Sequence, residues 1–201
     1  MFNHAAIPNV EVQYDNEGNV NVMLLRDAQQ GEPLFKCYGQ HTNPSHFLAT
    51  YGFFDTSPPA TYCKLLCGQT RTPELVNMGF DYERMVFYPE NGGIADEVWD
   101  VMLYTILEQT DPAAKEQFYN AHMQGDAQTK ASFHEMYFAQ TSDGLVNHVD
   151  EMLNELASCA NTISQGQGAG YENLEMISQH NNFVRETFLK VRENLVQMRG
   201  Y

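Results

Sequence analysis

Between residues 10 and 24 apolar and polar positions alternate: Val10, Val12 and Tyr14, then Val20, Val22 and Leu24, about the stretch Asp15-Asn16-Glu17-Gly18-Asn19. A period of two broken by turn residues predicts a β-hairpin. Leu34 to Tyr38 is a short apolar run stopped by Gly39, which predicts a buried strand leading to a turn. Asn43 followed by Pro44 predicts a helix start, with Gly52 as its end. Met85 to Tyr88 predicts one more strand, stopped by Pro89-Glu90-Asn91-Gly92-Gly93, and from there the period is helical throughout. Glu97 to Gln109 sets Val98, Val101, Met102, Thr105 and Ile106 on one face, and Asp111-Pro112 restarts a helix.

The cleanest periodicity lies further on. Leu145, Val149, Met152, Leu156, Cys159 and Ile163 recur at alternating four and three, as do Leu174, Ile177, Asn181, Val184, Phe188, Val191, Leu195 and Met198. The segment Ser164-Gln165-Gly166-Gln167-Gly168-Ala169-Gly170 between them reads as a flexible loop, so the two stripes predict an antiparallel pair inside a bundle. A coiled coil between chains is the alternative, with Asn181 as a register device in the seam or facing water at a gap. The expected fold is α+β, mostly α: a small β-rich unit at 1–56 and a helical bundle at 57–201. The stiff Ser57-Pro58-Pro59 connector marks the boundary.

Lys and Arg number 11 against 26 Asp and Glu, a net charge of −15 that repels polyanions and argues against direct nucleic-acid binding. An acidic surface serves solubility in any case; a partner drawn to it would be basic. Cys37, Cys63, Cys67 and Cys159 form neither a disulfide framework nor paired CxxC motifs, so buried free thiols in a reducing compartment are expected and no metal site. No apolar run approaches the roughly 20 residues of a membrane span, and none follows a basic leader.

Searched for general chemistry, the chain is poor. It lacks a Gly-rich phosphate loop, HExxH and a nucleophile elbow, and its seven histidines are scattered, most of them expected at the surface or at caps. His134 with Glu135, or His148 with Asp150, could act as acid/base pairs, but no third group orients either.

One ordered constellation stands apart: Asn3-His4-Ala5, Pro8-Asn9, a hairpin, then Gly31-Glu32-Pro33-Leu34-Phe35-Lys36-Cys37-Tyr38-Gly39, Asn43, and Tyr51-Gly52-Phe53-Phe54. This order resembles the C-terminal half of the SET domain, the lysine methyltransferase fold, and its tail is similar to that of the Rubisco large-subunit methyltransferase group, whose members carry a helical substrate-binding domain after the SET domain. The resemblance covers residues 1 to about 54. Beyond about 60 the agreement is only in being acidic, helical and downstream.

The resemblance implies methyl transfer from S-adenosylmethionine to a protein lysine. Such a reaction needs a neutral amine, an aligned methyl donor and a dry channel. Tyr38 would be the catalytic tyrosine, its hydroxyl beside the transferring methyl. Asn3 and His4 would contact the cofactor, His4 through its main chain, so that its ring need not titrate. Phe53 would line the lysine channel. Taken without the family, Tyr38 ends a strand with its hydroxyl on a backbone group, Asn3-His4 is a polar turn and Phe53 is core. Ala5 stands where many members have Ser. No cysteine cluster follows, so a helical domain rather than a zinc-binding tail would close the channel, and the acidic charge would gather a basic, lysine-bearing protein.

The family motif usually begins before the Asn-His pair, often as Asp-aliphatic-x-Asn-His. Here Met1-Phe2-Asn3-His4 resembles that motif cut in its middle, with the Gly-x-Gly cofactor cradle missing. The expectation is therefore a methyltransferase fragment that alone binds S-adenosylmethionine weakly or not at all and exposes sheet edges. The alternative is a non-enzymatic protein-interaction module built on the helical bundle. A lysine of Rubisco, of a ribosomal protein or of a histone, or the histidine of actin, fits equally as acceptor, and cytoplasm, nucleus and plastid all fit as compartment.

Overall fold

The computed structural model describes residues 2–39, 43–55, 61–62, 72–80, 84–166, 170 and 172–200. The architecture is α+β and mostly α, with seven helices and seven short strands among the described residues.

Strand β1 (Asn3–His4) runs parallel to β4 (Phe35–Lys36), with Asn3 opposite Phe35 and His4 opposite Lys36. The chain between them is the hairpin of β2 (Val10–Tyr14) and β3 (Val20–Leu24), in register from Val10 opposite Leu24 to Tyr14 opposite Val20. Its turn is held by Asp15, whose carboxylate accepts from the backbone N–H of Glu17 and Asn19.

Asn9 ties this unit together. Its side-chain oxygen accepts from Phe35 N–H at 2.7 Å, its amide donates to the Pro33 carbonyl at 3.0 Å, and its own carbonyl accepts from Leu25 N–H at 2.9 Å. An amide 1% exposed with both ends satisfied fixes two chain segments to a third. The expected strand at Leu34 to Tyr38 is shorter than its apolar pattern, two residues and only half-buried, because Asn9 and the β1 pairing engage one edge over that length alone.

Helix α1 (Pro44–Tyr51) has Asn43 as its cap, accepting from His46 N–H, and ends on Gly52 in the left-handed region. The Ser57-Pro58-Pro59 connector, Cys63 and Cys67 lie outside the described residues.

Strands β5 (Thr61–Tyr62), β6 (Val86–Tyr88) and β7 (Gly93–Ile94) make an antiparallel sheet, so the chain past Pro89 is not helical at once: it first turns back through Gly92 to pair Ile94 with Phe87. Helix α2 (Pro73–Asn77) precedes β6, and α3 (Asp96–Thr110), α4 (Pro112–Gln124), α5 (Ala127–Met136), α6 (Phe138–Ser164) and α7 (Leu174–Met198) follow. Asp111 caps α4 through Ala114 N–H, with Pro112 at the first turn. Phe87, Tyr104, Leu107, Phe118, Leu145 and Phe188 fill the core of these helices. Phe47 of α1 is fully buried outside that cluster, beneath the β1–β4 pair. Ser45 Oγ lies 2.8 Å from His180 Nε2 of α7, and Phe54 packs edge-on against the rings of His180 and Phe183, joining the N-terminal unit to the bundle.

Helices α6 and α7 are antiparallel: Asp150 pairs with Arg192 and Asp143 with Arg199, partners advancing in opposite directions. Fully buried α6 residues end at Val149, and Cys159, expected in the buried stripe, is exposed. A two-helix seam covers only a narrow face of each partner, so the outer stripe stays wet. Asn181 lines a gap of about 160 Å³ beside Leu156, Ala160 and Ile163.

Several histidines are not surface residues. His134 meets Asp100 of α3 at 2.7 Å rather than Glu135, and Lys130 meets the same carboxylate at 2.5 Å. Burial drives the Asp100 carboxyl up, and the bonds from His134 and Lys130 outweigh it, leaving the pKa below the ordinary value. Asp150, expected beside His148, is taken by Arg192, and His148 Nε2 is buried without a partner among the described residues.

Burial lowers the His148 pKa below 6.5 against the opposing charges of Glu151 and Glu155. The folded chain therefore holds the ring neutral while the unfolded chain takes up a proton, so stability is lost as pH falls below about 6.5. His148→Leu removes that loss. Urea midpoints compared between pH 7.5 and 5 are expected to fall less for the variant than for the parent, and to be higher by about 1 kcal/mol equivalent at neutral pH. Parallel pH profiles would contradict this.

No described helix is long and apolar enough to cross a membrane, and no group of three or more His, Cys, Asp or Glu among the described residues could hold a metal ion.

Candidate functional site

The site forms where β1 ends, because the parallel pairing with β4 sets His4 directly before the turn that presents Tyr38. His4 is a structural bracket. Its Nδ1 accepts from Tyr38 N–H at 3.2 Å, which leaves the proton on Nε2 to donate to Asp55 Oδ2 at 3.0 Å. With a side chain 7% exposed, the imidazole ties the segment after β4 to the segment after α1.

Aromatic rings pack about that bracket. His4 stands 4.5 Å from Phe47 and 5.5 Å from both Tyr38 and Phe53, centroid to centroid. Phe53 stacks on Phe47 at 5.3 Å, and Tyr38 lies 4.8 Å from Tyr51. The left-handed Gly52 makes this possible by reversing the chain after α1, so that Tyr51 and Phe53 approach Tyr38 from one side. Tyr51 Oη donates to the Tyr38 carbonyl at 3.3 Å.

Tyr38 Oη donates to the Phe2 carbonyl at 2.6 Å. The bond fixes the ring and uses the phenolic proton, which leaves the oxygen lone pairs as acceptors. Lys36 Nζ sits 5.4 Å from the centroid of the Tyr38 ring.

A cavity of about 680 Å³ opens among Asn3, His4, Tyr38, Tyr51, Phe53 and Asp55, within the range of about 300–1,000 Å³ usual for small-molecule sites. All four residues singled out in the sequence, Asn3, His4, Tyr38 and Phe53, therefore border one space. Asp55 was not singled out. Its signal is absent from local spacing, since its partner His4 lies 51 residues away. Among the described residues the lining holds neither Lys nor Arg, and its charged side chain is Asp55.

No family model matches the chain, and no curated protein matches it.

Proposed function

We propose that the N-terminal unit is the tyrosine-bearing part of a SET-type protein-lysine N-methyltransferase that uses S-adenosylmethionine, with the helical region holding the protein substrate. The observation that carries this reading is the convergence of Tyr38, Asn3, His4 and Phe53 on one cavity, with the Tyr38 hydroxyl held on the Phe2 carbonyl. When bound, the cofactor supplies a methyl group made electrophilic by its sulfonium.

The lining fits that end of the cofactor. Tyr38 Oη, whose proton is donated to the Phe2 carbonyl, would offer lone pairs to a polarised methyl. His4 acts through its ring by fixing the Tyr38 backbone, which leaves main-chain atoms beside it for the adenine. Phe53 and Tyr51 would wall the side on which a neutral lysine amine would sit. Among the described residues the lining holds no cation to partner the carboxylate of the methionine moiety.

The test is transfer of labelled methyl from S-adenosylmethionine to a lysine-bearing protein, assayed with the longest polypeptide its reading frame encodes. Labelled methyl-lysine in the acceptor is the expected product. Absence of transfer across histone, ribosomal and Rubisco substrates would overturn the reading.

A second reading, a non-enzymatic interaction module, is favoured by one observation. Tyr14, Val20, Val22 and Leu24 of the hairpin are exposed on one face, an apolar surface on a two-stranded ribbon of the kind that adds to other sheets or partners.

A further inference from the structure

A second concavity, of about 330 Å³, lies wholly within the helical region, where α3, α5 and α6 meet. We infer that it is an arginine-receiving pocket, which takes the guanidinium of a basic protein partner flat against Trp99 with Asp96 as its carboxylate. The inference stands independently of any chemistry at Tyr38.

Helical spacing builds the pocket. Asp96, Trp99 and Asp100 fall at i, i+3 and i+4 on one face of α3, while Ala127, Lys130, Ala131 and His134 fall at i, i+3, i+4 and i+7 on α5. The two alanines keep that side shallow, and the space they leave faces an aromatic wall. Trp99 and Phe138 form the wall as near-parallel rings, 5.9 Å apart with an interplanar angle of 21°. Trp99 is half-buried and Phe138 36% exposed, so both rings stay in reach of a guest.

The charge arrangement selects the guest. Lys130 and His134 both bond to Asp100, a carboxylate 3% exposed, so the Lys130 charge is paired there. Asp96 is exposed in the first turn of α3 and has no ion pair among the described residues. The uncommitted charge in the pocket is therefore negative, on a chain whose net charge is −15. A cation is favoured over a carboxylate on both scales. Among cations, the planar and weakly hydrated guanidinium stacks on indole and forks to a carboxylate, which an ammonium cannot do in a mostly apolar groove.

Trp99 is the single tryptophan of the chain, so its emission reports the pocket directly. Titration with a blocked pentapeptide carrying one central arginine among alanine and glycine is expected to give a saturable change in Trp99 fluorescence. The lysine analogue should bind at least about threefold more weakly, and the glutamate analogue should give no saturable change. Asp96→Asn should weaken the arginine peptide about fivefold. Ala131→Leu fills the groove from an exposed helical position; it should abolish the response while circular dichroism and melting temperature stay those of the parent. No saturable change with the arginine peptide, equal or better binding of the lysine or glutamate analogue, or unaltered binding by either variant would overturn the assignment.

Discussion

Gly92→Ala is expected to destabilise the fold by about 3 kcal/mol or more, through two effects that add. Gly92 has φ of +67°, a region where a Cβ costs about 1–2 kcal/mol. An added Cβ would also meet the backbone of α7, 2.4 Å from the carbonyl carbon of Lys190 and 2.7 Å from Val191 N. Backbone in the middle of a helix cannot step aside as a side chain can. The turn would have to lift off α7, and two bonds that seat it, Lys190 Nζ to the Pro89 carbonyl and Asn194 Nδ2 to the Asn91 carbonyl, would break with it. Urea unfolding followed by circular dichroism measures the loss. The contrasting substitution is Gly125→Ala, where φ is +70° but nothing stands within 4 Å, so only the conformational cost of about 1–2 kcal/mol is expected. Equal effects at the two positions would show that the close approach to α7 contributes nothing.

Why some of this was legible and some not follows from the range of each interaction. The hairpin, the Asn43 cap and the Asp111-Pro112 restart each depend on residues a few positions apart, and α6 and α7 each carry their own apolar period, so periodicity or a capping pair exposes them directly. The two-residue strands do not. β5, β7 and the shortened β4 are set by partners elsewhere in the chain, such as Asn9 for Phe35 and Val86 for Ala95, and two residues carry no period. The same holds for charge. His134 was read with its neighbour Glu135, yet its partner Asp100 sits 34 residues away, because α5 folds back across α3. At the candidate site, the ordered run from Asn3 to Phe53 marked residues that do share a cavity, while Asp55 was passed over. Asn9 was seen only as part of a dipeptide, although its hydrogen bonds set the register of the unit that carries Tyr38.

On the proposed methyltransferase reading, Tyr38→Phe is expected to slow methyl transfer at least about tenfold, with little loss of folding stability. The substitution keeps the ring, and with it the packing against Tyr51, His4 and Phe53. What it removes is one oxygen. The Phe2 carbonyl loses its donor, at a cost of about 1 kcal/mol, the net worth of one partly buried hydrogen bond. On the proposed reading the rate effect is larger, because the oxygen would accept the partial positive charge of the transferring methyl and a phenyl edge would present hydrogens instead. The signature is a fall in kcat with KM for the protein substrate nearly unchanged, since the oxygen acts on the transferring group and not on the docked protein. Single-turnover assays with labelled S-adenosylmethionine would separate the two constants. A rate equal to that of the parent would remove Tyr38 from the chemistry and leave its hydroxyl as a strut between Phe2 and the end of β4.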